Sequence, residues 1–208
     1  MSRTIEYVFT IISPWAYLGF DHFHALARRH GAAIHYRPVL LTEVFSETGG
    51  LPLARRHPVR QAYRFMELQR WRARRGVELK LRPKCFPFDQ TLADRTAIAL
   101  MEARIPPADY LRAAHRAVFV EERNLADERE LAALLNSLGQ PISILESAMS
   151  DRIGDLYAAN RDFALAAGVF GAPSYVLDGE VFWGQDRLEL LEDALASGRQ
   201  PYRPDTDF

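Results

Sequence analysis

The chain opens on a short run of β-branched and aromatic residues, Ile5 to Ile12 (IEYVFTII), closed by Ser13-Pro14, which is the pattern of a buried strand. Trp15 to His30 follows as a helix, Gly31 stands where a helix C-cap is expected, and Ala33 to Leu41 (AIHYRPVLL) reads as a second strand. Strand, helix and strand with short joints form a βαβ unit, whose crossover makes the two strands parallel. From about Pro58 to Gly168 the pattern turns helical. Its breaks fall at Gly76 to Pro87, Ile105 to Pro107, Asn124 to Asp127 and Gly139 to Pro141, which predicts about five helices and no strand longer than Val77 to Leu81. Asp127 is placed to cap one of these helices, with Glu130 at capping-box spacing. After Gly171-Ala172-Pro173 the β signal returns as SYVLD and EVFWG around Asp178-Gly179, a hairpin signature. Gln185 to Ser197 then closes the chain as an amphipathic helix carrying Leu188, Leu191 and Leu195.

The sum is βαβ, a helical segment, then ββα. This is an α/β, thioredoxin-like order interrupted by an all-helical insertion, with residues 1–50 and 168–208 forming the thioredoxin-like domain and 51–167 the insertion domain. The two outer parts must meet, because the strand at Tyr175 needs the strand at Val8 to bury its faces. At 208 residues and 48% hydrophobic composition, the chain can bury a core without disulfides or a structural metal. Cys85 is the one cysteine and cannot form an internal disulfide; no Cys/His cluster stands at zinc-ligand spacing, so a reducing compartment is favoured. No stretch reaches 18 apolar residues and the N-terminus lacks the marks of a signal peptide, so the expectation is a soluble cytoplasmic protein without a membrane partner.

The net charge of −1 argues against a general nucleic-acid role. The charge is nevertheless uneven: eleven Lys or Arg lie between Arg55 and Lys84, against Glu67 and Glu78. Such a cluster suits an anionic ligand, and it equally suits the wet face of a helix, since 24 of the 26 basic residues of the chain are Arg wherever they fall.

Two places carry legible chemistry. In a thioredoxin fold the reactive group lies where the first strand ends and the first helix begins, because unpaired N–H groups and the helix dipole stabilise a thiolate there. Ser13-Pro14-Trp15-Ala16 occupies that place, with Ser and Ala where a redox enzyme would carry cysteines, so no disulfide can be shuttled. The hydroxyl can donate to an anionic sulfur brought by a ligand, or simply cap a helix whose N1 residue is Pro14. At the second place, Gly171-Ala172-Pro173-Ser174-Tyr175, thioredoxin folds hold a cis proline facing the helix start, beside a backbone edge at Ala172 on which an extended peptide can pair. Trp183-Gly184-Gln185-Asp186 opens the last helix with amide donors and a carboxylate, suited to a γ-glutamyl group. Together these two places and the start of the last helix read as a trough for glutathione. His22, His24, His115 and Cys85 read as packing or surface residues.

Ser13-Pro14-Trp15-Ala16-Tyr17-Leu18-Gly19, Phe170-Gly171-Ala172-Pro173 and Phe182-Trp183-Gly184-Gln185-Asp186-Arg187 together resemble the 2-hydroxychromene-2-carboxylate isomerase family, which is related to the kappa class of glutathione transferases. The likeness also takes in Arg37-Pro38-Val39-Leu40-Leu41 and Phe86-Pro87-Phe88-Asp89. The resemblance implies a dimeric, bacterial, glutathione-dependent isomerase of aromatic degradation, naphthalene included. Its substrate would be a small aromatic carboxylate, a chromene hemiketal that opens to a benzylidenepyruvate. It makes Ser13 the catalytic serine, Ala172 with Pro173 the site that pairs with the cysteinyl backbone, and Trp183, Gly184, Gln185 and Asp186 the γ-glutamyl site. Gly49, Gly50 and Arg60 then fall nearest the second substrate. Here the chain departs from the family, with Thr48-Gly49-Gly50 for the usual Thr-Gly-Asn and Arg60 about where a lysine stands. A kappa-like transferase or peroxidase, and a glutathione-binding protein without turnover, are the alternatives.

Overall fold

A computed structural model describes residues 3–204. Four strands form one mixed sheet in the order β2-β1-β3-β4. β1 (Thr4–Phe9) and β2 (Ala33–Pro38) are parallel and joined through α1 (Pro14–Arg29); β3 (Ser174–Leu177) runs antiparallel to β1, and β4 (Glu180–Trp183) antiparallel to β3. Val8 lies opposite Ser174 and Tyr7 opposite Tyr175, so the two ends of the chain meet at the centre of the sheet. The β3–β4 hairpin turns at Asp178 and Gly179, both with positive φ (51° and 83°), which is the type I′ pattern that matches strand twist. β1 and β2 both end sooner than the hydrophobic runs predict. β1 stops at Phe9 because Thr10 to Ser13 closes a turn, the Ser13 N–H donating to the Thr10 carbonyl at 3.0 Å, and β2 stops opposite it at Pro38.

The helical segment contains more helices than its breaks predict. α2 (Leu41–Thr48) takes up residues at the end of the second apolar run, and six helices follow: α3 (Pro58–Arg75), α4 (Thr91–Glu102), α5 (Ala108–Phe119), α6 (Glu128–Ser137), α7 (Ser143–Ala148) and α8 (Asp151–Ala166). The extra break is at Ser150, whose hydroxyl accepts from the Ile153 N–H and starts α8 where no Gly or Pro marks a stop. Asp127 caps α6 by accepting from the Arg129 N–H at 2.9 Å, but the capping box is not made: the Glu130 carboxylate turns back to Arg123 at 2.5 Å. Val77 to Leu81 joins no strand; the Lys80 N–H donates to the Phe119 carbonyl at the end of α5. The last helix opens with a 3-10 turn, Gln185–Arg187, before α9 (Leu188–Ser197).

Apolar side chains alternate across the sheet and fill a core on each face. Ile5, Tyr7, Phe9, Tyr175 and Leu177 face α1 and α9, and the same apolar cluster continues into α4, α5, α6 and α7. Val8 and Val176 face the other way, onto Val39, Val44 of α2 and Ala164 of α8. α8 is fastened there by Arg37, which pairs with Glu6 at 2.5 Å, donates to Asn160 at 3.2 Å and lies 3.9 Å over the Phe163 ring. The helices therefore grip the sheet on both sides, and the loops at the C-terminal end of β1 are held between them. Among the described residues no helix is long and apolar enough to cross a membrane.

Candidate active site

The turn after β1 delivers Ser13 as the N-cap of α1, with extended backbone (φ −83°, ψ 112°). Its hydroxyl oxygen accepts from the Ala16 N–H at 3.2 Å, and its own proton goes to the Ala172 carbonyl at 3.3 Å. Pro14 at N1 offers no N–H, and no acidic residue stands in the first turn, so α1 itself brings no side chain to neutralise its positive end. Ser13 is buried, at 5% exposure.

Ala172–Pro173 is cis, as thioredoxin architecture predicts, and a second cis bond, unforeseen, joins Phe86 to Pro87. Ala172 gives its carbonyl to Ser13, while among the described residues nothing accepts from its N–H. The Pro173 carbonyl is taken by the Gly184 N–H at 2.9 Å, which ties the proline loop to the end of β4. Gly171 lets the Trp183 ring lie close: a Cβ there would sit 2.5 Å from the indole nitrogen, so the ring would have to shift. Trp183 itself is no core residue. It is half-exposed, edge-on to the exposed Phe170 ring at 4.7 Å, and forms an aromatic lip over the loop.

Gly184 has φ +105°, a conformation that a side chain resists, and a Cβ would meet the Asp186 carboxylate. The turn it begins leaves Asp186 partly exposed, paired with Arg187 at 2.9 Å. Gln185 departs from the expected role of an open amide donor. It is 1% exposed, its side-chain oxygen accepts from Arg75 Nε at 2.9 Å, and its carbonyl accepts from Arg75 Nη2 at 3.0 Å. Arg75, the last residue of α3, thus braces the turn from the helical segment, and burial lowers its pKa below the ordinary guanidinium value. Gly19 completes the brace from the other side, since a Cβ on α1 would lie 2.5 Å from Gln185 Cβ.

The structure therefore brings Ser13, Ala172, Pro173, Trp183, Gly184, Gln185 and Asp186 together, and it leaves Gly49, Gly50 and Arg60 apart from them in hydrogen bonding. Gly49 ends α2 in the left-handed conformation (φ +75°), and Gly50 fits against the Phe45 ring, so both glycines have a local reason to be there. Arg60 is exposed in the first turn of α3. One turn further along, Arg64 is half-buried and pairs with no carboxylate among the described residues. Burial, with Arg56 adding repulsion, lowers its pKa to about 10, and its guanidinium lies about 6 Å from the Phe65 and Phe86 ring centres. Sequence reasoning passed over Arg64, Arg75 and the buried Asp94. Only Asp94 left a usable signal, as a lone acid on the apolar stripe of TLADRTAIAL. Cys85 lies half-buried in the loop before α4. His24 is spent on the Phe20 carbonyl and the Tyr36 hydroxyl, and His22 lies partly buried beside Arg75 and Arg29.

A mixed sheet with a helix N-terminus facing a cis proline defines a thioredoxin-class protein, and residues 4–196 match the DsbA-like thioredoxin domain family. The chain is 31% identical over 198 residues to 2-hydroxychromene-2-carboxylate isomerase of Sphingobium xenophagum, covering 94% of this chain and 99% of that one. A solved structure of a 2-hydroxychromene-2-carboxylate isomerase superposes with a TM-score of 0.77 at 28% identity, over 93% of this chain and 95% of that one. More distantly, glutathione S-transferase kappa 1 of Caenorhabditis elegans is 24% identical over 92% of this chain and 90% of its own length. The chain belongs to the DsbA-like thioredoxin superfamily and, within it, to the 2-hydroxychromene-2-carboxylate isomerase family. It is an enzyme of the isomerase kind.

Proposed function

We propose that the protein is a glutathione-dependent isomerase that interconverts 2-hydroxychromene-2-carboxylate and trans-o-hydroxybenzylidenepyruvate, or a closely related aromatic keto acid. The observation that carries this reading is the Ser13 hydroxyl at the start of α1, hydrogen-bonded to Ala172 where a redox enzyme of the fold would use cysteine. The residues fit glutathione on three counts: Ala172 has an unspent N–H beside the hydroxyl, Gly184 makes a turn too tight for a side chain, and Asp186 stands partly open to receive an ammonium. When bound, glutathione supplies a thiol whose reversible addition to a conjugated ketone turns a fixed double bond into a rotatable single bond.

The chain's own groups do the rest. Ser13 Oγ keeps the Ala16 N–H as its donor and turns its proton from Ala172 to the incoming sulfur, so hydroxyl and helix end together favour thiolate. Ala172 offers N–H and carbonyl to the peptide backbone of the ligand, and the Trp183–Phe170 lip covers it. Arg60 receives the substrate carboxylate at the rim, and Arg64 is the inner cation of the same helix, set among aromatic rings that suit an aromatic acid. Calorimetry with glutathione is the first test. Binding is expected at millimolar ligand or below, weakened by ~1 kcal/mol in Asp186→Ala, the loss of one partly exposed charge-assisted contact. No heat of binding overturns the glutathione reading. Binding with conjugation of generic aromatic halides, but without isomerisation, assigns the chain a kappa-like transferase activity instead.

A further inference from the structure

Directly behind the Ser13 turn lies a carboxylate that the chemistry above does not use. Asp94, on α4, is fully buried, and its two oxygens take three donors: the Ile11 N–H at 2.8 Å on one, the Thr10 hydroxyl at 2.8 Å and the Tyr157 hydroxyl at 3.0 Å on the other. Thr10 and Ile11 are the first two residues of the turn whose fourth is Ser13, closed by the Ser13 N–H on the Thr10 carbonyl. A carboxylate brought from the helical segment thus grips the start of the turn, and α1 begins at its end. The backbone N–H and the hydroxyl of one turn are held by one charge, so what changes that charge acts on both.

The surroundings leave Asp94 sensitive to its proton. Among the described residues no Arg, Lys or His forms an ion pair with it. The groups that face it are Thr10 from the turn, Tyr157 from α8, Tyr110 from α5, whose hydroxyl donates to the Ala93 carbonyl, and Asp89 from the segment before α4, which adds like charge. Behind Tyr157 stands Glu43 of α2, and the neighbouring Arg95 points away to the Ser150 carbonyl. Burial outweighs the three donors and raises the carboxyl pKa to about 7. An ionised carboxylate binds the Ile11 N–H and both hydroxyls with charge-assisted strength; a protonated one must itself donate, which obliges Thr10 or Tyr157 to turn round and leaves the Ile11 N–H on a neutral oxygen.

We propose that Asp94 is a positioning residue for Ser13: ionised, it locks the Thr10–Ser13 turn and so the direction of the Ser13 hydroxyl, and taking up a proton relaxes that lock. The role rests on the isomerase reading for its consequence in catalysis, but not for its structural content. It makes the helical segment a working part of the site, since α4 and α8 supply the groups that hold the turn.

The test follows the Ile11 and Ser13 amide signals of the 15N-labelled full chain against pH, alongside the isomerase rate with glutathione. Both amides are expected to move with one midpoint near neutrality, and kcat is expected to fall below that midpoint while the KM for the aromatic substrate stays within about twofold. Asp94→Asn keeps the shape and should flatten both titrations. Tyr157→Phe removes one donor to the carboxylate and should move the common midpoint upward by about one pH unit, an arm that remains if the Asn variant does not fold. A midpoint that persists in Asp94→Asn, or an Ser13 amide that stays still while Ile11 titrates, overturns the positioning role. Amides that move together in a protein with no glutathione-dependent rate at any pH uphold the positioning role and overturn the isomerase reading alone.

Discussion

Ser13 has two duties at once, and they can be separated by pH. As a cap it satisfies the Ala16 N–H, and as a tie it holds Ala172; Ser13→Ala loses both and should cost about 1 kcal/mol of stability. If the hydroxyl also favours bound thiolate, the variant's pH–rate profile should shift upward by one to two units, with the rate ~10- to 100-fold lower at neutral pH and partly recovered in alkali. A cap alone predicts the stability loss with an unshifted profile. His115 offers a contrast, a polar side chain that the fold tolerates rather than uses. It is fully buried among Tyr17, Phe20 and Phe119, neither ring nitrogen has a partner among the described residues, and burial first, then His24, lowers its pKa to about 3. Between that value and 6.5 the unfolded chain accepts a proton that the folded chain refuses, so stability falls as pH drops through this window. His115→Leu removes the effect. Relative to the parent it should gain about 2 kcal/mol more at pH 5 than at pH 8, measured by urea unfolding at both.

At the scale of elements, the site depends on how closely α1 crosses the turn after β4. Gly19→Ala ordinarily adds up to ~1 kcal/mol of helix propensity. Here the new Cβ falls 2.5 Å from Gln185 Cβ, so the overlap should win, destabilising the protein by ~1–3 kcal/mol and weakening glutathione binding as the Gly184–Asp186 turn is displaced. Denaturant midpoints and calorimetry together check it. Gly19 shows what the sequence could and could not convey. SPWAYLG marks a helix start and a family, but the need for glycine at its seventh position comes from a turn 166 residues later. The βαβ and ββα ends were legible because short β-branched and aromatic runs and the Asp178-Gly179 turn are local signals. Ser150 as a helix start, the 3-10 turn at Gln185 and the loss of the capping box at Glu130 were not, since each is decided by a partner chosen in the folded chain. Ser13 and Ala172 could be paired in advance only because the fold order already placed β1 beside β3. Arg75 gave no signal at all, being one of eleven basic residues in a basic stretch.

Across the whole molecule, the sheet supplies the two arms of the site and the helices fix their separation. Asp94 holds the first arm, Arg75 braces the turn beside the second, and one apolar cluster connects the elements that carry them. This arrangement suits a reaction in which a thiol-bearing peptide must be held still while a small aromatic acid reacts above it. The central claim is that the thiol comes from glutathione and is returned. The direct measurement is the absorbance change of 2-hydroxychromene-2-carboxylate conversion as glutathione is titrated into enzyme freed of small-molecule thiols, with free thiol beyond that of Cys85 counted before and after. The account predicts a rate that rises from near zero to saturation with glutathione while the thiol count stays constant; an undiminished rate without glutathione, or steady consumption of thiol with turnover, would contradict it.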